Sequence, residues 1–182
     1  TIILGHRGIS RDNPDYYAVS VMNYILGGGG FASRLVQNIR DSKGLAYDVH
    51  SSFAPHKEVG SFSVEVQTKN ESAGIAIKEI IKEIKRIQEE GVTEQELTDA
   101  KGYLIGSFPL RIDTNAEVAR MLTAIEFYGL GLDYPERYKV IINGIKKEDV
   151  LRVARKYLDP ENFVLIIVAK QDKVKKKIEE LS

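Results

Sequence analysis

The sequence predicts an α+β domain in two layers, a largely antiparallel β-sheet with helices packed on one face. Three observations carry this. Strand-like and helix-like stretches are grouped rather than strictly alternating: one strand, two helices, two strands, several helices and a last strand. Two neighbouring strand-like stretches, 44–54 and 60–68, alternate in polarity across a short polar loop, the pattern of an antiparallel hairpin. A chain of 182 residues, 43% hydrophobic and 29% charged, suits a single soluble domain over 1–182 with a sizeable core.

The elements follow in order. Thr1 to Ile9 is short, partly β-branched and broken at Gly8, which reads as a strand. Asn13 can cap a helix that has Pro14 in its first turn. Ala18, Val21, Met22 and Ile25 then recur at helical spacing, and Gly27 is expected to stop the helix in a left-handed cap. Phe31 to Asp41 reads as a second helix with Leu35 and Ile39 inward and Arg34 and Arg40 on other faces. Gly44 opens a strand in which Leu45, Tyr47, Val49 and Phe53 alternate with Ala46, Asp48 and His50. From Gly60 to Thr68, Phe62, Val64 and Val66 face one side.

A long helix starts at Asn70 or Ser72. Ile77, Ile80, Ile81, Ile84 and Ile87 form its inner stripe, and Lys78, Glu79, Lys82, Glu83 and Lys85 cover the other face. Gly91 ends it. Thr93 with Glu96, and Thr114 with Glu117, are capping boxes that start the next two helices. The first is lined by Leu97, Ala100, Leu104 and Phe108 and kinks or stops at Pro109; the second is expected to bury Val118, Leu122 and Ile125. Pro135 starts a helix through Tyr138, Ile141 and Ile142. Glu148 to Leu158 forms another, with Leu151, Ala154 and Leu158 inward. Phe163 to Ala169 is uniformly apolar, as expected of a central strand covered on both faces, and a charged helical tail follows from Lys170.

Composition narrows the function. Lys+Arg and Asp+Glu both total 26, against the basic excess of a nucleic-acid binder. No apolar run approaches the roughly 20 residues that span a bilayer. Hence neither nucleic acid nor membrane is an expected partner. With no cysteine, disulfides, thiolate zinc sites and thiol catalysis are excluded. Abundant Lys, Glu and Ile without Cys or Trp point to a heat-adapted, thermostable protein. The expected location is cytoplasmic.

Several sites fail on context. Gly27-Gly28-Gly29-Gly30-Phe31-Ala32 satisfies the dinucleotide pattern G-x-G-x-x-A, but a helix precedes it where that motif needs a strand. No Lys-Ser/Thr pair makes it a phosphate loop. His6, His50 and His56 fit neither H-E-x-x-H nor H-x-x-E-H, so the residues predict no metal site. A rival reading, an unrelated α+β enzyme using one of these histidines, would require bound metal.

The stretch from Leu26 to Tyr47, LGGGGFASRLVQNIRDSKGLAY, is the most specific in the chain. Leu26-Gly27-Gly28-Gly29, Ser33-Arg34-Leu35, Ile39-Arg40 and Gly44-Leu45-Ala46-Tyr47 together resemble the non-catalytic half of the insulinase/pitrilysin-type zinc peptidases, the family that includes mitochondrial processing peptidase. Gly91 to Leu97 followed by Ala100-Lys101 resembles that family's helix junction. Glu148 to Ala154, Lys156-Tyr157-Leu158, Pro160 and Asn162 resemble its last helix and strand.

The resemblance implies a C-terminal, zinc-free, substrate-binding half that is inactive by itself and helps to enclose a chamber. It implies a partner half bearing H-x-x-E-H and zinc, on the same polypeptide or a separate subunit, and a peptide substrate; a dimer is compatible with it. The chain begins directly on a strand at Thr1, as expected if an upstream half was cut away. By resemblance Arg40 and Tyr47 are the substrate-binding pair, with Gly27, Gly28, Gly29 and Gly30 as a loop near the substrate. The residues alone also allow a plainer account, with Tyr47 packed beside Leu45 and Val49 and Arg40 favoured by the helix dipole. A scaffold subunit of the same fold is the alternative function.

Overall fold

The structure is a computed structural model and describes residues 1–170. The stretch expected to form a charged helical tail lies, beyond Lys170, outside the described residues. Four strands form one sheet: β1 (Ile2–Arg7), β2 (Ala46–Ala54), β3 (Ser61–Thr68) and β4 (Val164–Ile167). Their order is β2-β3-β1-β4, and every neighbouring pair is antiparallel. Leu4 sits opposite both Val64 and Leu165, and Val49 opposite Val66. The inner face is therefore a sheet of aliphatic side chains, with Ile2, Leu4, Val49, Phe62, Val64 and Val66 buried.

Helices cover this face. They are α1 (Tyr16–Asn23), α2 (Ala73–Glu90), α3 (Glu94–Gly106), α4 (Asn115–Tyr128), α5 (Tyr134–Gly144) and α6 (Lys147–Tyr157). The isoleucine stripe of α2 buries Ile77, Ile80, Ile84 and Ile87, as its period predicts. Both threonine capping boxes form, Thr93 with Glu96 and Thr114 with Glu117. The chain after α3 stops at Pro109 and makes a short 3₁₀ turn, Pro109–Ile112. α1 packs on α6, α3 and α5, which places the core between the sheet and these helices.

Several expectations need correction. α1 begins at Tyr16, and Asn13 acts one turn earlier, its Oδ1 accepting from the Asp15 N–H at 2.9 Å. β4 is not a central strand but an edge. Val164 and Ile166 stand on its open face, 67% and 53% exposed. A uniformly apolar run has no polar residue to mark which face is covered, so an edge strand and a central strand read alike. In α4 only Ile125 is buried, while Val118 and Leu122 are exposed, because α4 rests chiefly on the 3₁₀ turn rather than over the core. In α6, Val150, Val153 and Ala154 form the buried face, with Leu151 at its margin. Glu83, expected on the solvent face of α2, is 2% exposed, and Arg34 is 6% exposed.

Candidate functional site

The glycine run does not stop α1. The helix widens instead into a π-helical turn, Tyr24–Gly28, and Gly27 keeps a helical role. Gly27 lies flat against β2: a Cβ there would meet Ser51 Oγ at 2.5 Å and Ser51 N at 2.6 Å. The contact is locked by a reciprocal pair, with Asn23 Nδ2 donating to Ser51 O at 3.2 Å and Ser51 Oγ donating to Asn23 Oδ1 at 2.8 Å. The left-handed turn comes at Gly30, where φ is +56°. It releases the chain into a 3₁₀ turn, Gly30–Ala32, and leaves Phe31 exposed.

The predicted second helix is mostly π-helical, Val36–Ser42, with Val36 and Ile39 buried. Wide turns of this kind are rare and cluster at functional sites. Arg40 projects from it toward the glycine run, its guanidinium carbon 4.8 Å from the centroid of the Phe31 ring. Its nearest carboxylate, Asp41, is 4.0 Å away, a marginal ion pair. Gly27, Gly28, Gly30, Phe31, Arg40 and Asp48 are among the walls of a cavity of about 260 Å³. His50 also lines it, with Nδ1 3.2 Å from Asp48 Oδ2.

Tyr47 stands where β2 begins. Ala46 pairs with Thr68 and Asp48 with Gln67, so Tyr47 is the extra, unpaired residue of a β-bulge. The bulge breaks the alternation that would have packed Tyr47 beside Val49, and the ring is 83% exposed. Among the described residues its hydroxyl has no hydrogen-bond partner. Tyr47 lines an adjoining hollow with Gly44, Leu45 and Thr68, not the cavity that holds Arg40. The structure therefore joins Arg40 to the glycine run in one cavity, while Tyr47 lines a separate hollow, one residue before the Asp48 that lines the cavity from β2.

The rear of the segment is built differently. Arg34 Nε and Nη2 donate to the two Glu96 oxygens at 2.6 and 2.9 Å, and Nη2 also donates to Gly91 O at 2.8 Å. Glu96 thus serves two partners, because its Oε2 also accepts from the Thr93 N–H at 2.7 Å. Burial pushes the Glu96 carboxyl upward, but Arg34 and the Thr93 backbone outweigh it and hold the group at about 2. Asn38 Nδ2 donates to Glu79 at 3.0 Å and Glu83 at 2.8 Å. Lys43 pairs with Glu79 and holds its carboxyl below the usual range. Apart from the Thr93–Glu96 capping box, no sequence pattern marks these contacts, which join residues 36 to 62 positions apart.

The histidines do not converge. His6 accepts from the Asp159 N–H through Nε2, His56 bridges to Ser10, and His50 faces Asp48. Among the described residues no three His, Asp or Glu side chains stand close enough to hold a metal ion. Zinc therefore does not fit the described residues of this chain.

A family model described as the peptidase M16 inactive domain matches residues 1–104, a span that includes Arg40 and Tyr47. The chain belongs to the M16 inactive-domain family. This M16 domain is 36% identical, with a TM-score of 0.83, to a crystal structure of a peptidase M16 inactive domain from Pseudomonas fluorescens, over 90% of this chain and 39% of that one. It is 35% identical over 163 residues to a non-peptidase homolog, YmxG, of Helicobacter pylori, covering 84% of this chain and 36% of that protein. It is 31% identical over 173 residues to an uncharacterized zinc protease of Streptomyces coelicolor, covering 94% and 37% respectively. The chain thus spans little more than a third of the curated relatives it matches. It is the inactive M16 domain rather than the zinc-binding half.

Proposed function

We propose that this domain is the substrate-binding half of a zinc-dependent metalloendopeptidase, and that it acts with a zinc-bearing H-x-x-E-H half to enclose and orient peptides for hydrolysis. The observation that carries the reading is a pair of donors with no hydrogen bond to the protein: among the described residues the Arg40 guanidinium meets only Asp41, at 4.0 Å, and the Phe31 ring, and the Tyr47 hydroxyl has no partner. Zinc, if held by the H-x-x-E-H residues of a partner half, would supply Lewis-acid activation of water and of the scissile carbonyl there. Arg40 offers a planar fork of N–H donors to peptide carbonyls, and Tyr47 offers one O–H. Donors placed in advance need no reorganisation when negative charge develops on the carbonyl oxygen, and one such donor contributes on the order of 10²–10³ in rate.

The test is cleavage of a quenched peptide by the chain alone and after mixing with the H-x-x-E-H half from the same source. The expected result is silence alone, activity on mixing, and loss of that activity with Arg40→Ala and Tyr47→Phe. Activity of the lone chain in the presence of chelator would falsify the proposal. A second reading, a scaffold that supports assembly without touching substrate, is favoured by the non-peptidase homolog of Helicobacter pylori. A scaffold keeps full assembly and full partner activity when both residues are replaced.

A further inference from the structure

We propose that Asn38 is a positioning residue: its amide, shared between Glu79 and Glu83, holds the π-helical turn that presents Arg40 and Tyr47. The inference rests on the reading of those two residues as substrate contacts. Among the described residues the Arg40 side chain makes no hydrogen bond and is steered only by the Phe31 ring and a 4.0 Å contact with Asp41, so its place depends chiefly on the backbone that carries it. That backbone is well bonded. The N–H groups of Lys43, Gly44 and Leu45 donate to the carbonyls of Asn38, Arg40 and Ile39 at 3.2, 3.0 and 2.9 Å. Leu45 in turn is held by Thr68 Oγ1, which donates to its carbonyl at 2.5 Å. One continuous piece therefore runs from Asn38 through Arg40 to the bulge at Tyr47, and what fixes its start fixes both residues.

Asn38 is the short contact at that start. Glu83 is almost fully buried, and its other side-chain partner, Arg86, is 3.4 Å away at best, against 2.8 Å for Asn38. Glu79 and Glu83 stand one turn apart on α2, and the Asn38 amide supplies both of its N–H groups to the two carboxylates. A neutral donor between two anions cannot turn away without leaving a buried carboxylate short of a partner. Asn38→Asp keeps the shape and adds a third carboxylate. Adding Glu83→Gln restores one amide between two carboxylates, at the original net charge.

Two measurements test this. In the full chain, the Arg40 Nε–H signal in ¹⁵N NMR reports the placement of Arg40 directly. It should shift or broaden with Asn38→Asp and return with Asn38→Asp/Glu83→Gln. In the assembled peptidase, Asn38→Asp should lower kcat/KM for peptide by about ten-fold to a hundred-fold, as expected for a displacement near 1 Å, and should add nothing in an Arg40→Ala background. An unmoved Arg40 signal, or a full additional loss in the Arg40→Ala background, would overturn the positioning role. If the signal moves but Arg40→Ala leaves kcat/KM unchanged, Asn38 does position Arg40 and the substrate-contact reading is what fails.

Discussion

Arg34 and Arg40 lie on one helical segment, six positions apart, and have opposite fates. Arg34 is buried and bound side-on to Glu96, while Arg40 lies against a ring at the rim of a cavity with only a marginal carboxylate contact. The difference separates two uses of the same side chain. Arg34 spends Nε and Nη2 on the protein, leaving Nη1 buried without a partner, and so ties elements of the fold together; a guanidinium with no hydrogen bond to the protein is available to a ligand. The rear of residues 33–45 is a buried polar network tied to α2 and α3. The front is a set of groups left more open: Gly28 and Gly30, Phe31, Arg40 and Tyr47.

The comparison breaks most visibly at its rear. Arg34→Met leaves the Glu96 carboxylate without its cation, and because Glu96 is 27% exposed the cost falls below that of a fully buried pair, at about 2–3 kcal/mol. Urea unfolding should show this as a large drop in midpoint; a change under 1 kcal/mol would show that the pair is inert. Gly27→Ala should come next, at about 1–3 kcal/mol, because the added methyl overlaps Ser51 on a strand that cannot retreat. Acid should then loosen the same region. Glu96 lies at about 2 when folded, below its ordinary 4.5. Its contribution, on the order of 2 kcal/mol, is therefore fully present above about pH 4.5 and is lost as pH falls toward 2. Glu96→Gln should remove that part of the pH dependence. The smallest effects belong to the front. Arg40→Ala and Tyr47→Phe should each change stability by less than about 0.5 kcal/mol, as surface substitutions do. A loss above 2 kcal/mol for either would move it to the structural side of the comparison.

What could be read in advance follows the range of the interaction. The capping boxes at Thr93 and Thr114, the α2 stripe and the hairpin are written in neighbouring residues, and all form. Arg40 and the glycine run could be singled out because their pattern is local as well. Tyr47 shows the limit. Strict alternation puts it in the core beside Val49, and only the bulge against Thr68 and Gln67 turns it outward. Nothing in the order of residues 44–49 specifies that extra residue, because it depends on the partner strand. The same holds for Glu83 and Arg34, whose burial rests on partners brought together by tertiary packing, and for β4, whose edge position no local residue announces. Asp48 and His50 line the cavity with Arg40; the sequence marks Asp48 as an alternating strand residue and His50 as that and as one of three scattered histidines, with nothing to join either to Arg40.

The deciding question is whether peptide touches the front of this segment. A photoreactive benzoylphenylalanine at position 47 of the domain mixed with its proposed H-x-x-E-H half, compared with the same group at the exposed position 122 of α4, measures that contact. A peptide adduct at 47, absent at 122 and reduced by Arg40→Ala, is the predicted result. Equal labelling at both positions, or none at 47 while the peptide is being cleaved, would contradict the account.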